Sequence, residues 1–205
     1  SVSQAYNKYL NKKNIECIYL PAYIKPDKNE LNTKNSLIKS QITQNQGNIC
    51  FNIWRYTNEV ADKIYGLDLL EKYFSKHKRL LVKYCLNFFV GDSSSDLEHL
   101  KQRLDKNFKG RYNLIVSEPL VPYLDMMDVL IRTNRVDAYG VSIIEALDIN
   151  VNVIASNVCL RPSGCVLFNP SDFADYEFAM NKFFYEGILY NIKKKYNTDY
   201  GNDLI

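Results

Sequence analysis

The feature that most constrains this chain is a regular alternation, from Asn48 onward, of short apolar runs and longer amphipathic stretches. Short apolar runs bounded by polar or turn residues predict buried strands, and stretches with apolar residues at helical spacing predict helices that pack on them. Alternation of strand and helix is typical of a parallel sheet with helices on both faces. We therefore predict an α/β fold with a Rossmann-like parallel sheet.

The alternation predicts six strands and five helices. The predicted strands are Ile49–Trp54, Asn87–Val90, Asn113–Ser117, Val129–Thr133, Val151–Ala155 and Val166–Phe168. The predicted helices are Leu67–Lys76, Ser95–Leu104, Pro119–Met126, Ser142–Leu147 and Phe173–Lys195. Right-handed crossovers place the carboxyl ends of parallel strands on one edge of the sheet, where open sheets of this kind bind ligands. We therefore expect the functional residues in the loops that follow the strands.

The start of the chain has a different composition. Residues 1–26 combine a helical pattern over Ser3–Lys13 with an apolar run over Ile15–Leu20, which predicts one helix and one strand. Because the sequence does not begin with Met, we interpret residues 1–26 as the tail of a preceding domain and its hinge. Residues 27–47 are rich in Asn, Lys, Gln and Ser, which predicts a linker or a loosely packed helix. Residues 48–205 then form the main domain.

The composition indicates a globular protein, since 46% of the residues are hydrophobic and 24% are charged. The net charge of +3 is too small to indicate a nucleic-acid partner. No apolar run has the length of a membrane span, and the first residues lack a signal-peptide pattern. The run Lys193–Lys195 is interpreted as a solvated helix end. Its alternative is contact with anionic lipid headgroups, that is, peripheral association with a membrane.

The five cysteines form an odd set without a C-x-x-C pair, and the two histidines lie apart from them in the sequence. This pattern predicts neither a metal site nor a disulfide framework. Cys17, Cys50 and Cys165 lie inside apolar runs, where a free thiol behaves as a small buried hydrophobe. We therefore expect a cytoplasmic protein, at the inner face of the membrane if it associates peripherally.

Polar or turn residues follow four of the predicted strands. They are Arg55 and Lys63 after the first strand, Gly91 after the second, Pro119 and Leu120 after the third, and the segment Asp137–Leu147 after the fourth. Taken singly, Arg55 and Lys63 are typical of solvated charges and Gly91 is typical of a turn. The segment after the fourth strand, D-A-Y-G-V-S-I-I-E-A-L, carries the most information.

Within that segment, Gly140 allows a tight turn and a close approach of the backbone to a ligand. Val141 and Ser142 open a helix whose free N–H groups and dipole favour an anion such as a phosphate. Asp137 before the turn and Glu145 one helical turn after Ser142 are expected on the same rim, where carboxylates suit hydroxyl groups. A polyhydroxyl ligand with a pyrophosphate in its middle fits this pattern, and nucleotide-sugars are such ligands.

Two simpler interpretations stay open at this point. Ser142 and Glu145 also fit the capping box S-x-x-E, in which Glu145 would bond to a backbone N–H at the helix start. Asp137 alone is typical of an ordinary loop carboxylate.

The later part of the chain resembles the C-terminal domain of retaining glycosyltransferases of the GT-B fold, in the family 4 group that includes many bacterial capsule and lipopolysaccharide enzymes. The match is strongest over residues 129–168, which read V-L-I-R-T-N-R-V-D-A-Y-G-V-S-I-I-E-A-L-D-I-N-V-N-V-I-A-S-N-V-C-L-R-P-S-G-C-V-L-F. The family signature is an acidic residue and a glutamate with seven residues between them, and Asp137 and Glu145 have that spacing. Weaker similarity in I-C-F-N-I-W-R, K-I-Y-G-L-D-L-L and F-F-V-G-D extends the resemblance over residues 48–190.

The resemblance implies a nucleotide-sugar-binding domain in residues 48–205 and a role for each part of its site. Glu145 would bind the ribose hydroxyls, and Asp137 with the backbone of Ala138, Tyr139 and Gly140 would hold the donor sugar. The Val141 and Ser142 amides, with Arg55 and Lys63, would hold the diphosphate, the loop around Pro119 and Leu120 would pack on the base, and Gly91 would lie in a glycine loop. The substrate is then a nucleoside-diphosphate sugar, bound without a metal or a cofactor.

Several positions depart from the family pattern. They are Asp137 in place of the commoner glutamate, Thr133 in place of proline, Asn150 and Asn152 in place of glycine and proline, and a longer interval from Arg55 to Lys63. Arg161, in the loop R-P-S-G, belongs to the pattern, and we interpret it as a structural ion pair or loop anchor.

A GT-B enzyme closes two Rossmann-like domains around its substrates, and this chain has the pattern of one. The resemblance therefore implies half of a transferase, with a glycan or lipid-linked acceptor held by a missing N-terminal domain and no transfer by the fragment alone. The alternative is a non-catalytic Rossmann-like module that binds a nucleotide or a partner. A nucleotide-using epimerase or dehydrogenase is less consistent with the sequence, because no G-x-G-x-x-G fingerprint opens the first helix.

Overall fold

Six parallel strands form a single sheet in the computed structural model, which describes residues 4–16, 34–43, 47–94, 96–138 and 140–187. The strands are β1 (Gly47–Ile53), β2 (Tyr84–Val90), β3 (Tyr112–Val116), β4 (Val129–Arg132), β5 (Asn152–Ser156) and β6 (Cys165–Phe168). Their order across the sheet is β3-β2-β1-β4-β5-β6, and every neighbouring pair is parallel. This is the strand order of the doubly wound Rossmann fold, so the predicted fold class is confirmed.

Each of the six strands predicted from Asn48 onward has an observed counterpart whose ends differ by at most three residues. The helices are α1 (Gln4–Lys12), α2 (Ser36–Thr43), α3 (Asn58–Lys63), α4 (Leu67–Lys76), α5 (Leu80–Lys83), α6 (Leu97–Phe108), α7 (Val141–Asp148) and α8 (Phe173–Phe184). A 3-10 helix (Val121–Met126) precedes β4.

Some of the predicted elements differ from the structure or lie partly outside the described residues. The stretch predicted as a helix from Pro119 forms a 3-10 helix that begins at Val121, with a proline in its first turn. The helix predicted to reach Lys195 ends at Phe184, shortly before Gly187 takes a φ of 61°. Residues 188–205, with the Lys193–Lys195 run, lie outside the described residues, as do most of the predicted strand Ile15–Leu20 and the first residue of the predicted helix Ser95–Leu104.

The two faces of the sheet bury separate apolar clusters because successive side chains of a strand point to opposite faces. Along β1, Ile49 and Phe51 belong to the first cluster and Cys50 belongs to the second. Buried residues of α4, α6 and α8 cover the first face. Buried residues of α2, α7 and the 3-10 helix cover the second face. The sheet is therefore covered by helices on both sides, as predicted.

Part of the stretch 27–47 packs on the domain. Helix α2 lies in this stretch, and Ile42 near its end is completely buried in the second cluster. Before the helix, the amide of Asn35 donates to the Tyr123 hydroxyl at 2.8 Å, and Lys34 Nζ lies 2.6 Å from Asp125 Oδ2. These contacts tie residues 34–43 to the 3-10 helix. The position of the domain boundary stays a prediction.

None of the described helices has the length and apolarity that a membrane span requires. The described cysteines are free thiols, with Cys50 buried and Cys165 partly exposed. Cys17 lies outside the described residues.

Strand β1 lies between β2 and β4, and the chain winds outward from it in both directions. The carboxyl ends of β1 and β4 therefore meet at the point where the strand order reverses, which is the usual ligand position in open sheets of this kind. The loops after β1, β2 and β4, which hold most of the predicted site residues, adjoin one another at this edge.

Candidate nucleotide-binding site

The turn between β4 and α7 depends on the glycine at position 140. Gly140 is the N-cap of α7 and has left-handed backbone angles, φ 73° and ψ 65°. A Cβ atom at this position would lie 2.8 Å from Arg161 Nη1 and 3.0 Å from Ile143 Cδ1. Both the backbone conformation and the close approach of Arg161 therefore require glycine. The helix begins at Val141, so its first amides face the carboxyl edge of the sheet.

The capping-box interpretation of Ser142 and Glu145 is wrong. Because Gly140 is the N-cap, Ser142 is the second residue of the helix rather than its cap, and no side chain caps the helix start. The Ser142 hydroxyl instead accepts a hydrogen bond from Arg132 Nη1 at 3.3 Å.

Glu145 is half-buried on α7, and its carboxylate makes no hydrogen bond or ion pair to any described residue. Burial raises the pKa of this carboxyl, and the charge of Arg132 opposes the rise. A partly desolvated acceptor without a protein donor is costly for the folded state. The carboxylate of Glu145 is therefore free to accept hydrogen bonds from the hydroxyl groups of a ligand.

Asp137 lies between two arginines, and its side chain is only 6% exposed. Arg132 binds it with two hydrogen bonds, Nε to Oδ2 at 2.6 Å and Nη2 to Oδ1 at 2.7 Å. On the other side, Arg161 Nη1 lies 2.8 Å from Oδ2. Burial opposes ionisation, but the hydrogen bonds and charge of Arg132, followed by the charge of Arg161, outweigh it and lower the pKa of Asp137. Asp137 is therefore an ionised, buried carboxylate.

Arg161 anchors the loop that follows β5, as the sequence predicted. Its side chain is completely buried, and Nε donates to the Ser156 carbonyl oxygen at 2.8 Å. Nη2 donates to the Ser156 hydroxyl at 3.3 Å. Nη1 has only the ion pair with Asp137, without the alignment of a hydrogen bond. Arg161 therefore joins the ends of β4 and β5.

Arg132 is a site residue that the sequence interpretation missed. It is the last residue of β4, and besides Asp137 its guanidinium contacts Asn52 Oδ1 at 3.1 Å through Nη1. The side chain of Arg132 is 13% exposed. One sequence signal could have revealed it: an arginine ends the otherwise apolar strand V-L-I-R, five residues before Asp137.

The loop after β1 reaches the same edge. Arg55 is exposed, and its Nε lies 3.7 Å from Asp92 Oδ2 in the loop after β2. Lys63 is exposed at the end of α3. The two residues that follow it, Ile64 and Tyr65, accept hydrogen bonds through their carbonyl oxygens from the loop after β4. Although the interval between Arg55 and Lys63 is long, the residues directly after Lys63 therefore contact the β4–α7 loop.

Trp54, the single tryptophan of the chain, also lies at this edge and is 70% exposed. Its indole packs on Gly91, because a Cβ atom on Gly91 would lie 2.5 Å from Trp54 Cε3. Gly91, which has no side chain, thus leaves room for the indole against the loop after β2. The sequence interpretation did not single out Trp54, although a large aromatic residue at the end of a buried strand is itself a signal.

The two residues predicted to contact the base lie next to α7. Leu120 is the N-cap of the 3-10 helix and packs on the second apolar cluster, which includes Ile143 of α7. Pro119 is exposed beside it. The structure therefore brings this loop to the helix that carries Glu145.

Ala138 is exposed in the β4–α7 turn, and its amide donates to Asp137 Oδ1 at 2.9 Å. Its carbonyl oxygen accepts from the Cys159 thiol at 2.6 Å. Tyr139 lies outside the described residues.

Neither a protein-family model nor a curated protein sequence matches this chain. Solved structures that match it are glycosyltransferases of the GT-B fold. TarM matches 92% of this chain with a TM-score of 0.64 and 14% identity. The sucrose-phosphate synthase of Thermosynechococcus elongatus matches 89% of this chain with a TM-score of 0.58 and 15% identity. The UDP-forming α,α-trehalose-phosphate synthase of Burkholderia vietnamiensis matches 87% of this chain with a TM-score of 0.59 and 12% identity.

At these identities the similarity establishes the fold. The matched region covers 48% of the trehalose-phosphate synthase, 48% of the sucrose-phosphate synthase and 36% of TarM. The chain therefore spans about half or less of the length of the structures that it matches.

Proposed function

We propose that this chain is the nucleotide-sugar-binding half of a glycosyltransferase that moves a sugar from a nucleoside diphosphate to a bacterial glycan of the capsule or lipopolysaccharide type. One observation carries the proposal. Glu145, a half-buried glutamate that makes no hydrogen bond or ion pair to any described residue, lies on the helix that starts at the left-handed glycine turn, at the switch point of a Rossmann-type sheet. A desolvated acceptor beside a helix N-terminus suits a ligand that carries both hydroxyl groups and a phosphate.

Each part of the site has a proposed role. Glu145 binds the ribose hydroxyls, and the backbone of residues 138–140 supports the donor sugar. The first amides of α7, from Val141 and Ser142, meet the diphosphate. Arg55 and Lys63 are the exposed cations that approach it, and the loop at Pro119 and Leu120 packs on the base.

The chemistry that this arrangement serves is cleavage of the bond between the anomeric carbon of the sugar and the diphosphate oxygen. The bonding electrons leave with the nucleoside diphosphate, which gains negative charge as the bond breaks. Fixed cations and the free amides of a helix start stabilise that charge without rearrangement. The proposal includes transfer with retention and without a metal, as the resemblance implies.

The proposal assigns the acceptor to a second domain. This chain spans about half or less of the length of the matched structures, which supports a partner half that would bind the acceptor. We place the full enzyme in the cytoplasm, with peripheral membrane association where its acceptor is lipid-linked. The described half alone should bind donor weakly and transfer nothing.

The direct test is nucleotide binding by the chain, followed by Trp54 fluorescence and by the amide NMR signals of Gly140 and Ser142. UDP is tested first, because one matched structure is a UDP-forming enzyme, and GDP and ADP follow. Glu145→Gln should weaken nucleotide binding about tenfold, since it replaces a charged acceptor by a neutral one. The matched control is Glu98→Gln on the exposed face of α6, which should change nothing. If none of the three nucleotides shifts the two amide signals, the site assignment is wrong.

A second candidate function is a non-catalytic module that binds a nucleotide or a partner. The observation that favours it is the position of Asp137, whose carboxylate oxygens are already occupied by Arg132 and Arg161. Such a module would bind UDP and a UDP-sugar equally tightly. A sugar-dependent gain in affinity, measured by calorimetry, would favour the transferase.

A further inference from the structure

Both oxygens of the Asp137 carboxylate are engaged by groups of the protein. Oδ1 accepts from Arg132 Nη2 at 2.7 Å and from the Ala138 amide at 2.9 Å. Oδ2 accepts from Arg132 Nε at 2.6 Å and lies 2.8 Å from Arg161 Nη1. Two contacts on each oxygen leave little room for a sugar hydroxyl, since a carboxylate has about four lone-pair directions. The acidic group is therefore turned inward, toward the protein.

The bidentate pair fixes the guanidinium of Arg132 in one orientation. With Nε and Nη2 held by Asp137, the remaining nitrogen, Nη1, is directed between the end of β1 and the start of α7. Its partners there are Asn52 Oδ1 at 3.1 Å and Ser142 Oγ at 3.3 Å. Both are neutral oxygens at long hydrogen-bond distances, and a charged phosphate oxygen is a stronger acceptor than either.

Charge and exposure distinguish the two arginines. Arg132, Arg161 and Asp137 together carry one net positive charge. The side chain of Arg161 has no exposed surface, whereas that of Arg132 is 13% exposed. The net charge can therefore meet a ligand only through Arg132. Its Nη1 lies beside Ser142, the second residue of α7, where the free amides of the helix also attract an anion.

We propose that Arg132 binds the diphosphate of the donor through Nη1, and that Asp137 is a positioning residue that holds Arg132 for this task instead of a ligand of the sugar. The inference rests on the proposed function and deepens it. It also gives a reason for an aspartate at this position, because the shorter acid closes a bidentate pair with an arginine five residues earlier.

The test compares the binding of UDP, uridine and inorganic pyrophosphate by the chain, using Trp54 fluorescence and the amide signals of Gly140 and Ser142. Arg132→Gln should weaken UDP and pyrophosphate binding about 10- to 100-fold, the range expected for loss of one charged hydrogen bond. Binding of uridine, which lacks phosphate, should change less than about twofold. If the chain prefers another base, the pair of UDP and uridine is exchanged for GDP and guanosine, or for ADP and adenosine.

Two controls separate binding from folding. Arg103→Gln removes an arginine of similar exposure, 15%, that pairs with Glu71 and Asp62 away from the turn, and it should leave UDP binding unchanged. In the double variant Arg132→Gln, Asp137→Asn the carboxylate charge is lost together with the guanidinium that it holds, and the buried Arg161 loses its counter-charge. The melting temperature and far-UV spectrum of the double variant report whether the domain is folded, and its UDP affinity should match that of Arg132→Gln.

The role of Asp137 is tested by coupling. Asp137→Asn should weaken UDP binding in the wild-type background but change it less than about twofold in the Arg132→Gln background, because its effect acts through Arg132. A sugar-binding role predicts the opposite, with normal UDP binding and weaker binding of the UDP-sugar.

The possible results separate this inference from the proposed function. If the wild-type chain binds UDP and Arg132→Gln binds it equally well, the role of Arg132 is wrong and the proposed function stands. If pyrophosphate binding depends on Arg132 but no nucleotide binds, the anion site stands and the proposed function fails. If the wild-type chain binds neither, both fail.

Discussion

Arg161 Nη1 lies 2.8 Å from Asp137 Oδ2, and the side chain that carries Nη1 has no exposed surface. Asp137 thus balances a guanidinium that water cannot reach, in addition to Arg132 on the other side of the same carboxylate. A buried charge that loses its partner is costly. The ends of β4 and β5 are therefore held together by a carboxylate that the sequence pattern assigned to a ligand.

Replacing Asp137 should unfold the domain more easily. Asp137→Ala leaves Arg161 buried without a counter-charge and should lower the free energy of unfolding by about 3 kcal/mol. Urea denaturation measures the loss. The matched control is Asp68→Ala, because Asp68 also makes a bidentate pair, with Arg135, but the two side chains are 42% and 29% exposed. That surface pair should be worth less than about 1 kcal/mol, and equal losses in both variants would contradict the prediction.

The same carboxylate should govern acid stability. Burial alone would raise the pKa of Asp137. Arg132 and Arg161 outweigh burial and lower this pKa below the ordinary value of 3.8. The folded state then binds the proton more weakly than the unfolded state. The stability contributed by ionised Asp137 is therefore complete above pH 3.8 and is lost as the pH falls through the lowered pKa. Unfolding curves at several acidic pH values should show a steeper decline for the wild type than for Asp137→Ala. Parallel declines would refute this assignment.

Glu145 should behave in the opposite sense. Burial raises its pKa above the ordinary value of 4.5, so the folded state binds the proton more tightly and ionisation costs stability as the pH rises through the raised pKa. Glu145→Gln removes this cost and should stabilise the domain at neutral pH while it weakens nucleotide binding. Thermal unfolding at pH 4 and pH 8 checks the difference, which should grow with pH. A variant that is less stable than the wild type at pH 8 would argue against a functional strain at this position.

The sheet could be predicted because strand and helix periodicities are local properties of the sequence. Apolar runs such as Val129–Ile131 are buried on both faces, and any parallel arrangement requires helices between the strands. The turn after β4 was also predictable, since Gly140 is the residue that allows a left-handed N-cap. These elements follow from neighbouring residues alone.

The charge pattern of the site could not be predicted in the same way. Whether Asp137 points outward or inward depends on Arg132 and Arg161, and Arg161 comes from a loop 24 residues later in the chain. Ser142 could not be distinguished from a helix cap until the position of Gly140 at the helix start was known. The proximity of Lys63 to the β4 loop depends on hydrogen bonds from Thr133 and Arg135, which also have no local signal.

Gly140→Ala should destabilise the domain more than the same change at another left-handed glycine. Gly140 and Gly110 have φ values of 73° and 72°, but a Cβ atom on Gly110 has no neighbour within 4 Å, whereas one on Gly140 lies 2.8 Å from Arg161 Nη1. Gly110→Ala should therefore cost only the backbone strain, about 1 kcal/mol. Gly140→Ala should cost at least about 1 kcal/mol more, because it displaces a buried arginine. Equal losses in chemical denaturation would mean that Arg161 moves aside freely.

Gly91→Ala should move Trp54 without unfolding the domain. The added Cβ would lie 2.5 Å from Trp54 Cε3, and the indole is 70% exposed, so the side chain can rotate away at little cost. Since the chain has one tryptophan, the change should appear directly as a shift in emission maximum, while the free energy of unfolding changes by less than about 1 kcal/mol. Because the indole lies at the carboxyl end of β1, the displacement should also alter the fluorescence change caused by UDP. An unchanged emission spectrum would show that the indole does not rest on Gly91 in solution, and would remove Trp54 as a reporter of this site.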